Sequence, residues 1–308
     1  MPVVQAQARA AEAAGATTLW ASDHLFLREP VAMAAAALAV TSRPRVALMA
    51  MSPHVVHPVQ IAMAAASLDE LAPGRVILCL GTGAPRDLAD AGIEPRRGLR
   101  TLHEAVEIVR ALLAGETVAR VGEVFPVRGR RLATGARPVP VFLAASGPRT
   151  LELAGAVADG VLLSNASSVE FVRWALEQVE RGARGRHLVR TGLVYACVAD
   201  RETDALARYR RHLAVTLRGA HHALNVQLGG GRLDQARLHD AVARQDWALV
   251  EGLVTDDLVR RHTACGTAER VGERLAAYRA AGLDEIVLGG LADPDETART
   301  LAVARHGD

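Results

Sequence analysis

Lysine is absent from this sequence: all 36 basic residues are arginine. That excludes Schiff-base chemistry and the phosphate-binding lysine of a P-loop, and with them two large enzyme classes. Aromatic residues make up only 3% of the chain, and acidic and basic residues are interspersed to a net charge of +2. There is accordingly neither a stacking platform nor a concentrated basic stripe for nucleic acid. Cysteine is scarce too. Cys79, Cys197 and Cys265 are far apart and odd in number, which points away from a disulfide framework or zinc cluster and toward buried free thiols. No apolar run approaches the roughly 18 residues of a membrane span, and the start has no basic segment followed by an apolar one. The expectation is a cytoplasmic protein with a small-molecule substrate, no metal, and neither nucleic acid nor membrane as partner.

What the chain does have is apolar residues, at 50% of its 308 positions, enough for the core of one α/β barrel of about 250 residues. Short apolar runs over 17–24, 46–54, 76–85, 139–148, 160–167, 192–200 and 285–291 alternate with alanine-rich stretches of helical period. Near-continuous hydrophobicity in the runs predicts parallel strands buried on both faces, and the stretches between them predict crossover helices. The clearest helix is 97–116, where Leu99, Leu102, Val106, Val109, Leu112 and Leu113 form one stripe. A parallel barrel of this kind has eight strands, whereas this chain opens in a helix over 3–15. The expected fold is therefore α/β, a TIM-type (β/α)8 barrel lacking its first strand, in a single domain over 1–308. Residues 201–263, interrupted by Gly229-Gly230-Gly231, read as a mainly helical insertion serving as a lid or a packing arm.

In such a barrel the active site lies at the carboxyl ends of the strands. Asp23 and His24 end the first run: a histidine exchanges protons near neutral pH, and the aspartate would fix its tautomer or bind a coenzyme ring nitrogen. After the second run, Ser52-Pro53-His54 and His57-Pro58 read either as a turn and cap with proline at the first helical position, or as a strand end bulging toward a bound ring. Gly81-Thr82-Gly83 closes the third run, either as a tight turn or as a place where backbone amides approach a ligand. It is no dinucleotide fingerprint, because the position three after Gly83 is Arg86. Ser146-Gly147-Pro148-Arg149 lies at a strand-to-helix junction, where free amides and the helix dipole bind a phosphate with Arg149 adding charge, or where serine and glycine merely cap the helix. The next run ends in Ser164 and Asn165, again small and polar.

Together, Trp20-Ala21-Ser22-Asp23-His24, then Ser67-Leu68-Asp69-Glu70-Leu71-Ala72-Pro73-Gly74-Arg75, then Leu80-Gly81-Thr82-Gly83 resemble, in this order, segments of the luciferase-like flavin and deazaflavin oxidoreductases. The resemblance runs from the first helix to Asp284-Glu285-Ile286-Val287 and is strongest to the methylenetetrahydromethanopterin reductase branch. It implies a coenzyme, F420, in the barrel mouth, passing hydride from its C5 to a carbon of the substrate. Asp23 and His24 would flank the ring, with His24 moving any proton. Gly81, Thr82 and Gly83 would shape the pocket beside it, and Ser146, Gly147 and Pro148 would hold the coenzyme phosphate. Members often carry a non-prolyl cis peptide behind the ring, which by register is Met49-Ala50 here, and commonly form homodimers. Two other readings stay open: an FMN-dependent monooxygenase on the same fold, and a non-catalytic or degenerate flavin-binding barrel.

Overall fold

The computed structural model describes residues 1–291 and 293–305. They form two compact units. The first comprises 1–145, 149–162 and 179–188, and the second 146–148, 163–178 and the chain from 189 onward.

The first unit runs α1 (Pro2–Ala13), β1 (Thr18–Ser22), α2 (Pro30–Leu38), β2 (Arg45–Met51), α3 (Pro58–Leu71), β3 (Val76–Leu80), α4 (Pro85–Asp90), α5 (Gly98–Leu113), β4 (Val118–Arg120), β5 (Val127–Arg130) and β6 (Val141–Ala145). Next come α6 (Pro148–Val157), β7 (Gly160–Leu163) and α7 (Val169–Ala183), each divided between the two units. Strands β1, β2, β3 and β6 pair in parallel, in that order. Every residue of β3 is buried, as expected of a strand covered on both faces. Strands β4 and β5 form a separate antiparallel hairpin that the apolar pattern does not foreshadow.

Proline punctuates the strand-to-helix passages. It opens α1, α2, α3, α4 and α6, where its missing N–H is one that a helix start leaves unpaired anyway and its fixed φ already suits the helix. Ahead of α2 the Glu29 carboxylate accepts from the amides of Val31 and Ala32, and ahead of α3 the His57 ring accepts from Val59, so Pro58 does sit at the first helical position. Along α5 the stripe Leu102, Val106, Val109, Leu112 and Leu113 is buried. Leu99 is not part of this core; it lines a surface cavity. Backbones meet closely where α6 passes α7: a Cβ on Gly155 would lie 2.0 Å from the Val179 carbonyl oxygen, and one on Gly182 only 1.8 Å from that of Glu152. Only glycine fits at either position.

The second unit contains β8 (Val189–Val198), α8 (Glu202–Leu217), a short 3-10 turn at Ala220–His222, α9 (Ala223–Leu228), α10 (Gln235–Ala243), α11 (Trp247–Leu253), α12 (Asp256–His262), β9 (Ala264–Gly266), α13 (Ala268–Ala280), β10 (Glu285–Gly289) and α14 (Pro294–Arg305). Strand β8 pairs in parallel with β10 through Thr191–Tyr195 and with β9 through Ala196–Val198. All seven runs read from the apolar pattern are strands; β9, three residues long, is an eighth member of the parallel system too short to register as a run. Helices α8 to α12 fill the stretch expected to be helical, with the break at Gly229-Gly230-Gly231 between α9 and α10. They carry their own core, in which Leu206, Leu213, Leu217, Leu238, Val250 and Val259 are fully buried. The thiols of Cys79, Cys197 and Cys265 are buried. No described helix is long and apolar enough to cross a membrane.

Candidate functional site

In the first unit the carboxyl ends of β1, β2 and β3 stand side by side, because Ser22 is in register with Met49 and Gly81 donates its amide to the Met51 carbonyl at 3.1 Å. This brings Asp23, His24, Met49, Ala50, Gly81, Thr82 and Gly83 into one neighbourhood. The Asp23 amide donates to the Met49 carbonyl. The pairing of β2 with β3 is irregular between Leu48 and Met51, and the Met49-Ala50 peptide is cis, at the position the resemblance implies. Gly81 is required by space: a Cβ there would lie 3.0 Å from the Ala50 Cβ and 3.4 Å from the Ala144 Cβ. Gly83 has φ +84°, so it also serves as the turn residue. The tight-turn reading of Gly81-Thr82-Gly83 holds at Gly83, while Gly81 is set by its packing against Ala50 and Ala144.

The polar groups of this neighbourhood differ from expectation in one respect. His24 is held by Asp87, not Asp23: its Nδ1 is 2.8 Å from the Asp87 carboxylate, with the imidazole half-exposed. Asp87 lies in the first turn of α4, just after the glycine turn, so a carboxylate two residues beyond Pro85 was the available signal. Burial pushes the Asp23 carboxyl above its ordinary range; Glu29 and Asp87 push the same way, against His24 and the Ser52 amide. Burial also pushes His54 down, and its Nε2 is buried without a hydrogen-bond partner among the described residues.

Arg149 lies elsewhere in the same unit, on a cavity of about 480 Å³ lined also by Arg97, Leu99, Arg100, His103 and Leu153. Arg97 and Arg100 both bridge to Glu123, at 2.8 and 2.6 Å. Among the described residues Arg149 has no ion-pair partner. A Cβ on Gly98, at the start of α5, would lie 3.9 Å from the Thr82 methyl, so the glycine turn and this cavity are adjacent. The sequence pointed to Arg149 alone; its cationic companions are about 50 residues away in the chain.

Ser146, Gly147 and Pro148 belong to the second unit, with Pro148 opening α6 and no acidic residue in that helix's first turn. Ser164 and Asn165 follow β7. The Asn165 amide donates to the Tyr195 hydroxyl at 2.6 Å, and the Ser167 hydroxyl donates to the Ser164 carbonyl at 2.7 Å. Ala166 is left-handed, with φ +54°, a conformation that costs an L-residue roughly 1 to 2 kcal/mol.

A model described as luciferase-like monooxygenase matches residues 3–285. The chain belongs to the luciferase-like monooxygenase family. Within the luciferase-like proteins it is 30% identical over 295 residues to a 5,10-methylenetetrahydromethanopterin reductase of Methanolobus tindarius, covering 94% of this chain and 90% of that one. It is 34% identical over 173 residues to an F420-dependent glucose-6-phosphate dehydrogenase of Beutenbergia cavernae, across 52% of each. The coenzyme F420-dependent tetrahydromethanopterin reductase of Methanopyrus kandleri has the same fold, with a TM-score of 0.88 at 21% identity over 97% of this chain and 93% of that one. The α/β, TIM-barrel type of fold expected from the sequence is thus the fold of this chain.

Proposed function

We propose that this chain is an oxidoreductase that uses the deazaflavin coenzyme F420 to transfer hydride to or from a small organic substrate. The observation that carries the reading is the meeting of the ends of β1, β2 and β3, where Gly81 packs closely against Ala50 and Asp23, His24 and the glycine turn come together at one strand mouth. The full-length kinship with 5,10-methylenetetrahydromethanopterin reductases supports it.

The residues present fit such a coenzyme. Among the described residues the His54 Nε2 is a buried polar atom needing a partner, and Arg149 is a cation without an ion-pair partner on a cavity that also holds Arg97 and Arg100. Ser146, Gly147 and Pro148 would hold the phosphate with the amide end of α6, and Ser164 and Asn165 would supply side-chain hydrogen bonds. When bound, the coenzyme supplies the hydride chemistry at its C5. The chain's own contribution is to orient and to manage protons. His24, held at Nδ1 by Asp87, presents Nε2 as the atom that accepts or delivers a proton. Asp23, partly desolvated, holds its proton to a higher pH than a solvated aspartate and so can donate a hydrogen bond to a ring heteroatom. From the same kinship we infer one barrel domain with 201–263 as its insertion, assembled as a homodimer in the cytoplasm.

The test is a fluorescence titration of the purified protein with oxidised F420 and with FMN. The expected result is saturable F420 binding, lost in Gly147→Asp, whose carboxylate repels the phosphate. Preference for FMN would replace this reading with a flavin monooxygenase. Binding of neither by a folded protein would leave a non-catalytic barrel.

A further inference from the structure

Five consecutive residues of the second unit, 164–168, collect an unusual share of its buried polar side chains. The Ala166 carbonyl accepts two hydrogen bonds, from Asn225 Nδ2 at 2.7 Å and from His262 Nδ1 at 2.8 Å. Asn225 Oδ1 in turn accepts from the Ser168 amide at 2.9 Å, and the Tyr278 hydroxyl donates to the Ser167 carbonyl at 2.6 Å. Asn225 is 2% exposed, and His262, Tyr278 and Ser168 are 0% exposed. The donors come from α9, the end of α12 and α13, so two of the three lie in the helical stretch 201–263.

Packing alone does not account for this. Apolar side chains of the same volume would fill the space but leave the Ala166 and Ser167 carbonyls and the Ser168 amide without these partners, at about 1 to 3 kcal/mol for each buried group. Directional bonds to three successive residues do something that apolar contacts do not: they select one backbone path. The path selected includes left-handed Ala166, which an alanine does not adopt unaided. Immediately before it stand Ser164 and Asn165, whose side chains are tied through Asn165 to the Tyr195 hydroxyl.

We propose that Asn225, His262 and Tyr278 are positioning residues for coenzyme binding, holding residues 164–168 in the one conformation that presents Ser164 and Asn165. The helical stretch is then a packing arm that shapes the site from behind. The inference rests on the coenzyme reading above and adds to it residues that touch no ligand.

The experiment uses the full chain with Asn225→Ser and, separately, Tyr278→Phe, which removes only a hydroxyl and folds even where the first variant does not. F420 affinity is measured by fluorescence at a temperature where each protein is folded by circular dichroism, and amide exchange is followed in peptides covering 164–168. The expected outcome is a Kd raised about tenfold in Asn225→Ser and about threefold in Tyr278→Phe, the scale of one buried hydrogen bond, with faster exchange confined to that segment. Kd values within about twofold of wild type in both folded variants, with only the melting temperature lowered, would overturn the proposal and leave the coenzyme reading standing. Absence of F420 binding by the wild-type chain would overturn both.

Discussion

Glu104 is the most heavily bonded carboxylate described in the first unit, and Glu104→Gln tests how much that arrangement stabilises. The side chain is fully buried on α5. Its Oε1 accepts from Arg100 Nε at 2.9 Å and the Glu123 amide at 3.1 Å, and its Oε2 from the amides of Val124 and Phe125 at 3.0 and 3.2 Å. Burial alone would raise the carboxyl, but the Val124 and Phe125 amides, the Arg100 guanidinium and the Glu123 amide together hold it down at about 2. Glutamine turns one oxygen into an NH2 group that faces two donors, so two charge-assisted bonds are lost, each worth about 1.5 kcal/mol or more. The expected destabilisation is about 3 kcal/mol, or roughly 6 to 12 °C in Tm for a cooperative unit of 150 to 250 residues. Calorimetry at pH 7 reads it. The pH dependence is specific: with the folded value below the ordinary 4.5, the carboxylate's contribution is complete above pH 4.5 and fades as pH falls toward 2, so wild type and variant converge there. A Tm unchanged at pH 7, or a gap that persists undiminished at pH 2.5, would refute the reasoning. The same substitution frees the loop whose Glu123 pairs with Arg97 and Arg100, so it also loosens the cationic cavity.

Two further outcomes are expected. In Asp87→Ala the imidazole of His24 loses the acceptor that fixes its proton on Nδ1, and a long-range nitrogen–proton spectrum of the neutral ring should shift from the Nδ1–H toward the Nε2–H tautomer; an unchanged tautomer would separate the two side chains functionally. His222, 5% exposed, is pushed down to about 3 by burial and by the neighbouring His221 and His262. Its neutral form contributes stability that is complete above pH 6.5 and is lost on acidification toward 3, at about 1.4 kcal/mol per pH unit. His222→Asn should therefore flatten the fall in urea midpoint between pH 6.5 and 5, and an identical slope in wild type and variant would contradict this.

Much of the architecture was legible because parallel strands buried on both faces must be apolar nearly throughout, and all seven runs are strands. The miss was β9, whose three residues are too few to form a run. The hairpin of β4 and β5 was also invisible, because Val127-Arg128-Gly129-Arg130 is mostly exposed and carries no apolar signal. At the candidate site, backbone geometry was readable where the constraint is local. Gly83 answers to the turn it forms, and Pro58 and Pro148 to the helices they open. Of the two roles read for Asp23, fixing the tautomer of His24 falls instead to Asp87 of α4, a partner from another element that adjacency in the chain does not reveal.

By itself, then, the order of apolar runs, prolines and glycines determined the fold class, the succession of the seven long strands and the stretches of backbone that end at the strand mouths, since periodicity and φ constraints act over a few residues. Only the tertiary structure decided that Asp87 meets His24 across 63 positions, that Arg97 and Arg100 join Arg149 around one cavity, and that Asn225 and His262 grip Ala166 from 59 and 96 positions away. Hydrogen bonds and charges act over distances in space, and a chain of this length brings such groups together only once its strands have paired and its helices have packed.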